Sequence, residues 1–396
     1  MIARYTAPEQ IRTVERGPIS VALVLDRSGS MDGDKLQLAR EATLKALGLL
    51  RPSDRFSLVV YDDHVVVLVA GELATPEALA RARTALDAVC ARGATDLCGG
   101  YLAGCRAMAQ ALEPHGVGRC LLLTDGLANR GETRPEEICR HARELRARGI
   151  TTSTFGVGEE YDERLLAAMA EAGGGNYYYI ARESDIPELL SSELSEALEV
   201  VARDVHLDIE VGEGARVEPV LSEAVLTNRF GTRVRIGDLV SRQRGEVVFA
   251  VSFGPDRPGG KCPVRCTLVG PSGEPVAEPR HGDWSVVEPF KADGERPDSD
   301  AGRAAARALD GRARQDALEL NRAGRFEAAE ELFQKAAHEV RALLPGDPEV
   351  EQLARRLESQ GYEYAVPLAP AAAKAAHFAT YRQRRWRGES GKAERG

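Results

Sequence analysis

A chain of 396 residues exceeds the usual size of one hydrophobic core, so two or three domains are expected. Hydrophobic residues make up 43% and charged residues 29%, as in ordinary globular proteins, while 5% aromatic content offers little surface for stacking nucleic-acid bases. The formal net charge of -9 disfavours phosphate backbones, and nucleic acid is not an expected partner.

The first 18 residues carry Arg4, Glu9, Arg12, Glu15 and Arg16 and contain no apolar stretch of signal-peptide length. No later apolar run approaches the roughly 20 residues that span a bilayer. From Ile19 to about Ala202, short apolar strands alternate with helical patterns, the signature of a doubly wound, mostly parallel α/β sheet. Residues 19–25 read as a buried strand and 35–50 as a helix. Residues 56–61 form the next predicted strand, 76–90 and 97–112 the next helices. Residues 119–123 read as a further buried strand. Thr133, Pro135, Glu136 and Glu137 then open a helix with a cap, an early proline and acids in its first turn. Strands at 151–157 and 177–180 and helices at 162–172 and 186–201 complete a first domain of residues 1–202, its N-terminal extension included.

Near Arg203 the period changes to two. Val205, Leu207, Ile209 and Val211 alternate with polar residues, and Val247, Phe249, Val251 and Phe253 repeat the pattern, which predicts an antiparallel β-sandwich over 203–290. The seven cysteines are scattered without a Cys-x-x-Cys pair, which fits a reducing, cytoplasmic setting. Cys262 and Cys266 stand roughly 13 Å apart on an extended strand, so they read as separate thiols. Residues 291–300 lack apolar content and read as a linker. Helical patterns at 301–321, 325–344 and 348–360 give a helical module over 301–366. Within it Ala317, Leu320, Gly324, Ala328, Ala329, Phe333 and Ala336 are arranged as in one tetratricopeptide repeat or a plain helical hairpin. Residues 367–396 read as a basic, mobile tail.

Chemistry concentrates at three loops of the first domain. Asp26-Arg27-Ser28-Gly29-Ser30 follows the first buried strand and presents a carboxylate and two hydroxyls, hard oxygen ligands suited to Mg²⁺ or Mn²⁺, with Ca²⁺ a further candidate. Alone, this turn is equally readable as a helix cap. Thr95, at the start of a helix, and Asp125, at the end of a strand, belong to loops that converge on the same sheet edge, which completes a set of five oxygen donors: Asp26, Ser28, Ser30, Thr95 and Asp125. Asp32, Asp34 and Asp96 read as caps or outer charges. Sequence adjacency puts Arg27, Met31, Asn129 and Arg130 at the rim as candidate partner contacts.

These motifs, with Thr124-Asp125-Gly126 and Phe155-Gly156-Val157-Gly158, resemble the von Willebrand factor A domain, whose metal-ion-dependent adhesion site is written Asp-x-Ser-x-Ser, then Thr, then Asp. All five positions match, and the resemblance covers roughly the first half of the chain. It implies a six-stranded sheet, Mg²⁺ or Mn²⁺ at its top, and binding rather than catalysis. The ion would dock an Asp or Glu of a protein partner. The wider organisation resembles bacterial proteins in which such a domain precedes a β-sandwich and helices. Some relatives work beside AAA+ ATPases, so an intracellular assembly is implied.

Two other readings compete. In one, the chain is a scaffold that binds through the sandwich and helices, with a structural or vestigial metal site. In the other, a metal-bound water serves hydrolysis. Against catalysis, the sequence has no phosphate loop, dinucleotide turn, nucleophile elbow or His-Glu-x-x-His helix, and its seven histidines lie singly. The sequence does not specify the oligomeric state.

Overall fold

The computed structural model describes residues 1–9, 17–112, 116–221, 224–228, 231–254, 260–285, 298–385, 387–388 and 392–395. The chain forms two compact units that divide near Val200.

The chain opens with β1 (Ile2–Thr6). The first unit then takes up β2 (Ile19–Asp26), α1 (Asp34–Leu47), β3 (Arg55–Tyr61), β4 (Val65–Leu73), α2 (Pro76–Asp87) and α3 (Leu97–Ala109). It continues with β5 (Val117–Thr124), α4 (Pro135–Arg146), β6 (Ile150–Val157), α5 (Glu163–Gly173), β7 (Gly174–Ile180) and α6 (Ile186–Ala197). Six strands form one sheet in the order β4-β3-β2-β5-β6-β7. All neighbours are parallel except β3 and β4. β2 and β5 are buried along their whole lengths, which is why they read as continuous apolar runs rather than alternating ones. The predicted doubly wound sheet is the observed one.

β4 is an antiparallel edge strand absent from the predicted elements. Its Val66 and Val67 are exposed, so its valine run is neither a buried stretch nor an alternating face. Local rules explain the helices. Pro76 and Pro135 occupy first helical positions, and Asp162 caps α5 by accepting from the backbone N–H of Arg164 at 2.9 Å and Leu165 at 3.0 Å. α3 lies so close to the sheet that a side-chain carbon at Gly100 would collide with the Tyr61 ring and one at Gly104 with Val24. Those two glycines, four apart on one helix face, set the helix that carries the Thr95 loop directly against β2 and β3.

The second unit holds β8 (Val200–Val211), β9 (Ala215–Pro219), β10 (Ala224–Asn228), β11 (Gly231–Val240), β12 (Arg244–Phe253), β13 (Lys261–Val269) and β14 (Arg280–Ser285). One sheet runs β10-β11-β8-β13-β14 and the other β1-β12-β9. Val205, Leu207 and Ile209 face Val217, Val247 and Phe249 in a shared core, which accounts for the period of two along β8 and part of β12. β1 corrects the predicted boundary. Instead of extending the first domain, Ile2 to Thr6 pair antiparallel with Val248 to Arg244, and Tyr5 enters the sandwich core. Five residues are too few to show a period, and only the ladder with a strand some 240 residues away identifies them as a strand.

Helices α7 (Ser299–Arg322), α8 (Phe326–Leu343), α9 (Pro348–Tyr364) and α10 (Pro370–Arg384) follow. Residues 291–297 of the predicted linker lie outside the described residues. Phe333 and Tyr364 meet edge to face at 4.9 Å in the helical core, and Asn321 Nδ2 donates to the carbonyls of Tyr364 and Val366 at 2.8 and 2.7 Å. α10 overturns the expected mobile tail. Ala373 and Ala376 pack on the helical core and Lys374 is buried, because spaced alanines give this basic segment an apolar stripe. Among the described residues no helix is long and apolar enough to cross a membrane.

Candidate metal centre

Chain order reverses between β2 and β5: β3 lies on one side of β2, whereas β5 and β6 lie on the other. In such sheets the crevice beyond the strand C-termini opens at that switch point. Asp26 ends β2 and Asp125 follows the last residue of β5, with Leu25 and Leu123 in register, so the two carboxylates flank the crevice. Thr95 reaches the same edge from the loop before α3. Asp96 caps that helix through the Gly99 N–H at 2.9 Å, and Asn129 Oδ1 accepts from the Thr95 N–H at 2.9 Å.

The predicted donors come together. Ser28 Oγ and Ser30 Oγ are 3.1 Å apart, and Ser30 Oγ donates to Asp125 Oδ1 at 2.6 Å. Asp26 Oδ1 accepts from the Ser28 N–H at 2.7 Å, and its Oδ2 accepts from Thr124 Oγ1 at 2.6 Å. A methyl group on Gly126 would stand 3.3 Å from Thr95 Oγ1, 3.5 Å from Ser30 Oγ and 3.9 Å from Ser28 Oγ, so the absence of a side chain there leaves a pocket ringed by hydroxyls. Asp26 and Asp125 are fully buried. Burial pushes the Asp26 carboxyl up to about 6; Thr124 and Ser28 pull it down, while Asp125 adds to the rise. Two buried carboxylates and three hydroxyls around a side-chain-free glycine fit a hard divalent cation, whose charge would offset the penalty of burying the acids.

Several residues at this edge escaped the sequence reading. Lys35 Nζ donates to Asp125 Oδ2 at 2.7 Å and to the Ser30 carbonyl at 3.3 Å. A cation in the first turn of a helix opposes the helix dipole, and that was the available signal. Thr124, named in the sequence motif, gains a role only here, as the hydroxyl that donates to Asp26. Leu127, Glu159, Glu160 and Tyr161 line the cleft of about 660 Å³ above the donors. Leu127 is 56% exposed, and both glutamates follow the end of β6, where the strand-end rule also points.

The predicted rim divides. Asn129 and Arg130 are exposed, although Asn129 also braces the Thr95 loop. Met31 is fully buried, and Arg27 turns to Asp62 Oδ2 at 3.1 Å, so neither presents its side chain as a rim contact. Adjacency to a ligand does not set side-chain direction, and the short helical turn over 29–31 directs Met31 inward.

Asp62, Asp63 and His64, at the turn between β3 and β4, bring three potential ligand atoms within 4.8 Å of one another. Asp62 Oδ1 already accepts from the His64 N–H at 2.6 Å, and Oδ2 accepts from Arg92 Nε at 2.7 Å besides pairing with Arg27. Its carboxylate thereby ties the Arg27 and Arg92 loops together, a tie reinforced where the Arg92 N–H meets the Arg27 carbonyl at 2.8 Å.

A doubly wound sheet with oxygen side chains gathered at its switch point is the arrangement expected of a von Willebrand A-type domain. Residues 20–192 match the von Willebrand factor type A domain. The chain is 33% identical over 202 residues to the uncharacterized protein YfbK of Escherichia coli, covering 50% of this chain and 35% of that one. It is 30% identical over 213 residues to inter-alpha-trypsin inhibitor heavy chain H3 of Mesocricetus auratus, covering 52% and 23% respectively. It therefore spans well under two thirds of either relative. A solved structure, a von Willebrand factor type A protein from Catenulispora acidiphila, aligns over 93% of this chain and 97% of its own with a TM-score of 0.63 and 19% identity, which establishes likeness of fold across both units.

Proposed function

We propose that this chain is a metal-dependent protein-interaction module, in which Asp26, Ser28, Ser30, Thr95 and Asp125 hold Mg²⁺ and a partner protein supplies an Asp or Glu as an outer ligand. When bound, the ion supplies a positive centre for that carboxylate. The observation that carries the reading is the convergence of three hydroxyls and two buried carboxylates around Gly126.

Charge supports it further. Asp26 and Asp125 bring two negative charges, and Lys35, 2.7 Å from Asp125, returns one positive charge. A divalent ion among them keeps a net positive centre that attracts an outside carboxylate. Asp26 is held by Ser28 and Thr124, and Asp125 by Ser30 and Lys35, so both carboxylates are oriented before any partner arrives. Binding rather than turnover is the activity proposed: the ring of His64, at the turn between β3 and β4, pairs with Asp63 at 3.3 Å rather than with a hydroxyl nucleophile.

The test is affinity capture from native extract with Mg²⁺ and with EDTA, beside calorimetric titration of Mg²⁺. Partner retention in Mg²⁺, its loss in EDTA, and loss of both metal and partner in Asp26→Ala are expected. Equal retention by Asp26→Ala and wild type would refute the metal bridge.

A further inference from the structure

In Asp26-Arg27-Ser28-Gly29-Ser30 the oxygen donors occupy every second position, and the two residues between them reach the loop that carries Thr95. The Arg27 carbonyl accepts from the Arg92 N–H at 2.8 Å, and the Gly29 N–H donates to the Gly93 carbonyl at 3.2 Å. The side chains of Arg27 and Arg92 converge on one carboxylate. Asp62 Oδ2 lies 3.1 Å from Arg27 Nε and accepts from Arg92 Nε at 2.7 Å.

Asp62, the residue after β3, is fully buried and is itself held firmly. Its Oδ1 accepts from the His64 N–H at 2.6 Å, its N–H donates to the His64 carbonyl at 3.1 Å, and its carbonyl accepts from the Asp96 N–H at 2.8 Å. That last bond grips the Thr95 loop just beyond the donor, and the Arg92 pair grips it just before. From the other side Asn129 donates its N–H to the Thr95 carbonyl at 3.1 Å. The Arg27 side chain is 11% exposed, and among the described residues Asp62 is its ion-pair partner. A buried guanidinium deprived of its carboxylate is strongly disfavoured, so the charge of Asp62, and not only its shape, keeps the two loops in register.

Mg²⁺ demands a near-ideal octahedron of oxygens at about 2.0–2.1 Å, whereas Ca²⁺ accepts about six to eight at about 2.3–2.6 Å in flexible arrangements. A donor loop free to drift therefore disfavours the smaller ion more. We infer that Asp62 is a positioning residue that, through Arg27 and Arg92, holds Thr95 in register with Ser28 and Ser30 and makes the site select Mg²⁺ over Ca²⁺. This inference rests on the metal centre proposed for Asp26, Ser28, Ser30, Thr95 and Asp125. Asp62 acts from behind those donors, with both carboxylate oxygens already engaged by the loops.

The experiment is calorimetric titration of the full chain with Mg²⁺ and with Ca²⁺, for wild type, Asp62→Asn and Arg92→Ala, beside melting temperatures in EDTA. Asp62→Asn keeps the oxygen that accepts from the His64 N–H and removes the charge that pairs both arginines. It should weaken Mg²⁺ by about tenfold, the order of one charge-assisted contact, and Ca²⁺ by no more than about twofold. Arg92→Ala removes a side chain that is 58% exposed and cuts only the link to the Thr95 loop. It should shift the Mg²⁺-to-Ca²⁺ affinity ratio the same way by about threefold, with a melting temperature in EDTA close to wild type. A purely structural role predicts instead a lower melting temperature and an unchanged ratio. That result in Asp62→Asn, or in Arg92→Ala if Asp62→Asn does not fold, would overturn the inference while leaving the metal centre standing. Wild-type protein that binds neither cation would overturn the metal centre itself.

Discussion

Two clefts of opposite character occupy the two units. The cleft at the strand ends of the first unit is lined by Ser28, Ser30, Thr95, Glu159 and Glu160, with the buried Asp125 and its partner Lys35 close by, a set of oxygen groups proposed above to hold a cation. The cleft in the second unit gathers seven arginines among four carboxylates. The first is made of loops, where backbone turns at a switch point aim short oxygen side chains at one spot. The second is made of long side chains on regular strands and helices, brought together only by packing. A loop-built site leaves a motif in the sequence, whereas a packing-built site leaves scattered residues.

The largest expected effect breaks the first cleft. Wild-type protein in Mg²⁺ at about a hundred times its dissociation constant should gain about 2.7 kcal/mol of stability, seen as a rise in melting temperature that EDTA reverses. Asp26→Ala and Asp125→Ala should show no rise. Persistence of the Mg²⁺ effect in both would place the cation elsewhere.

Lys35→Met sharpens the charge argument. Removing the ammonium 2.7 Å from Asp125 should tighten Mg²⁺ binding by about tenfold, which is about 1.4 kcal/mol, in calorimetric titration. Weaker Mg²⁺ binding would mean that Lys35 orients Asp125 more than it offsets its charge. Gly126→Ala should act less strongly and in the opposite direction. Its methyl group, 3.3 Å from Thr95 Oγ1, should weaken Mg²⁺ by a factor of a few, while the melting temperature measured in EDTA stays close to wild type.

The smallest effect concerns the rim. Glu159→Gln combined with Glu160→Gln removes like charge from the mouth of the cleft. Capture of an acidic partner should improve two- to three-fold, and less so at high salt, because both side chains are exposed and screened. A loss of capture would show instead that the glutamates themselves contact the partner.

Much of the first unit was legible because its signals are local. β2 and β5 are buried end to end and read as apolar runs; Pro76, Pro135 and Asp162 mark helix starts; the donor motif sits in one turn plus two strand-end loops. β1 and α10 were misread for lack of such a signal. Five residues at the N-terminus have no period, and the charges of 370–384 mask an alanine stripe. Met31 and Arg27 were misplaced because adjacency along the chain says nothing about which way a side chain turns.

By itself the sequence determined the doubly wound sheet, the sandwich that follows and the turns that carry five oxygen side chains, since hydrophobic period and turn chemistry act over a few residues. Only the tertiary structure decided that Lys35 stands on Asp125, that Gly126 opens a hydroxyl-ringed pocket, and that β1 joins a strand some 240 residues away. It alone gathered the arginines of β1, β12, α7, α9 and α10 into one cleft. The physical reason is range. Local propensities fix elements, but which charges share a low-dielectric wall depends on burial that no short window of sequence contains.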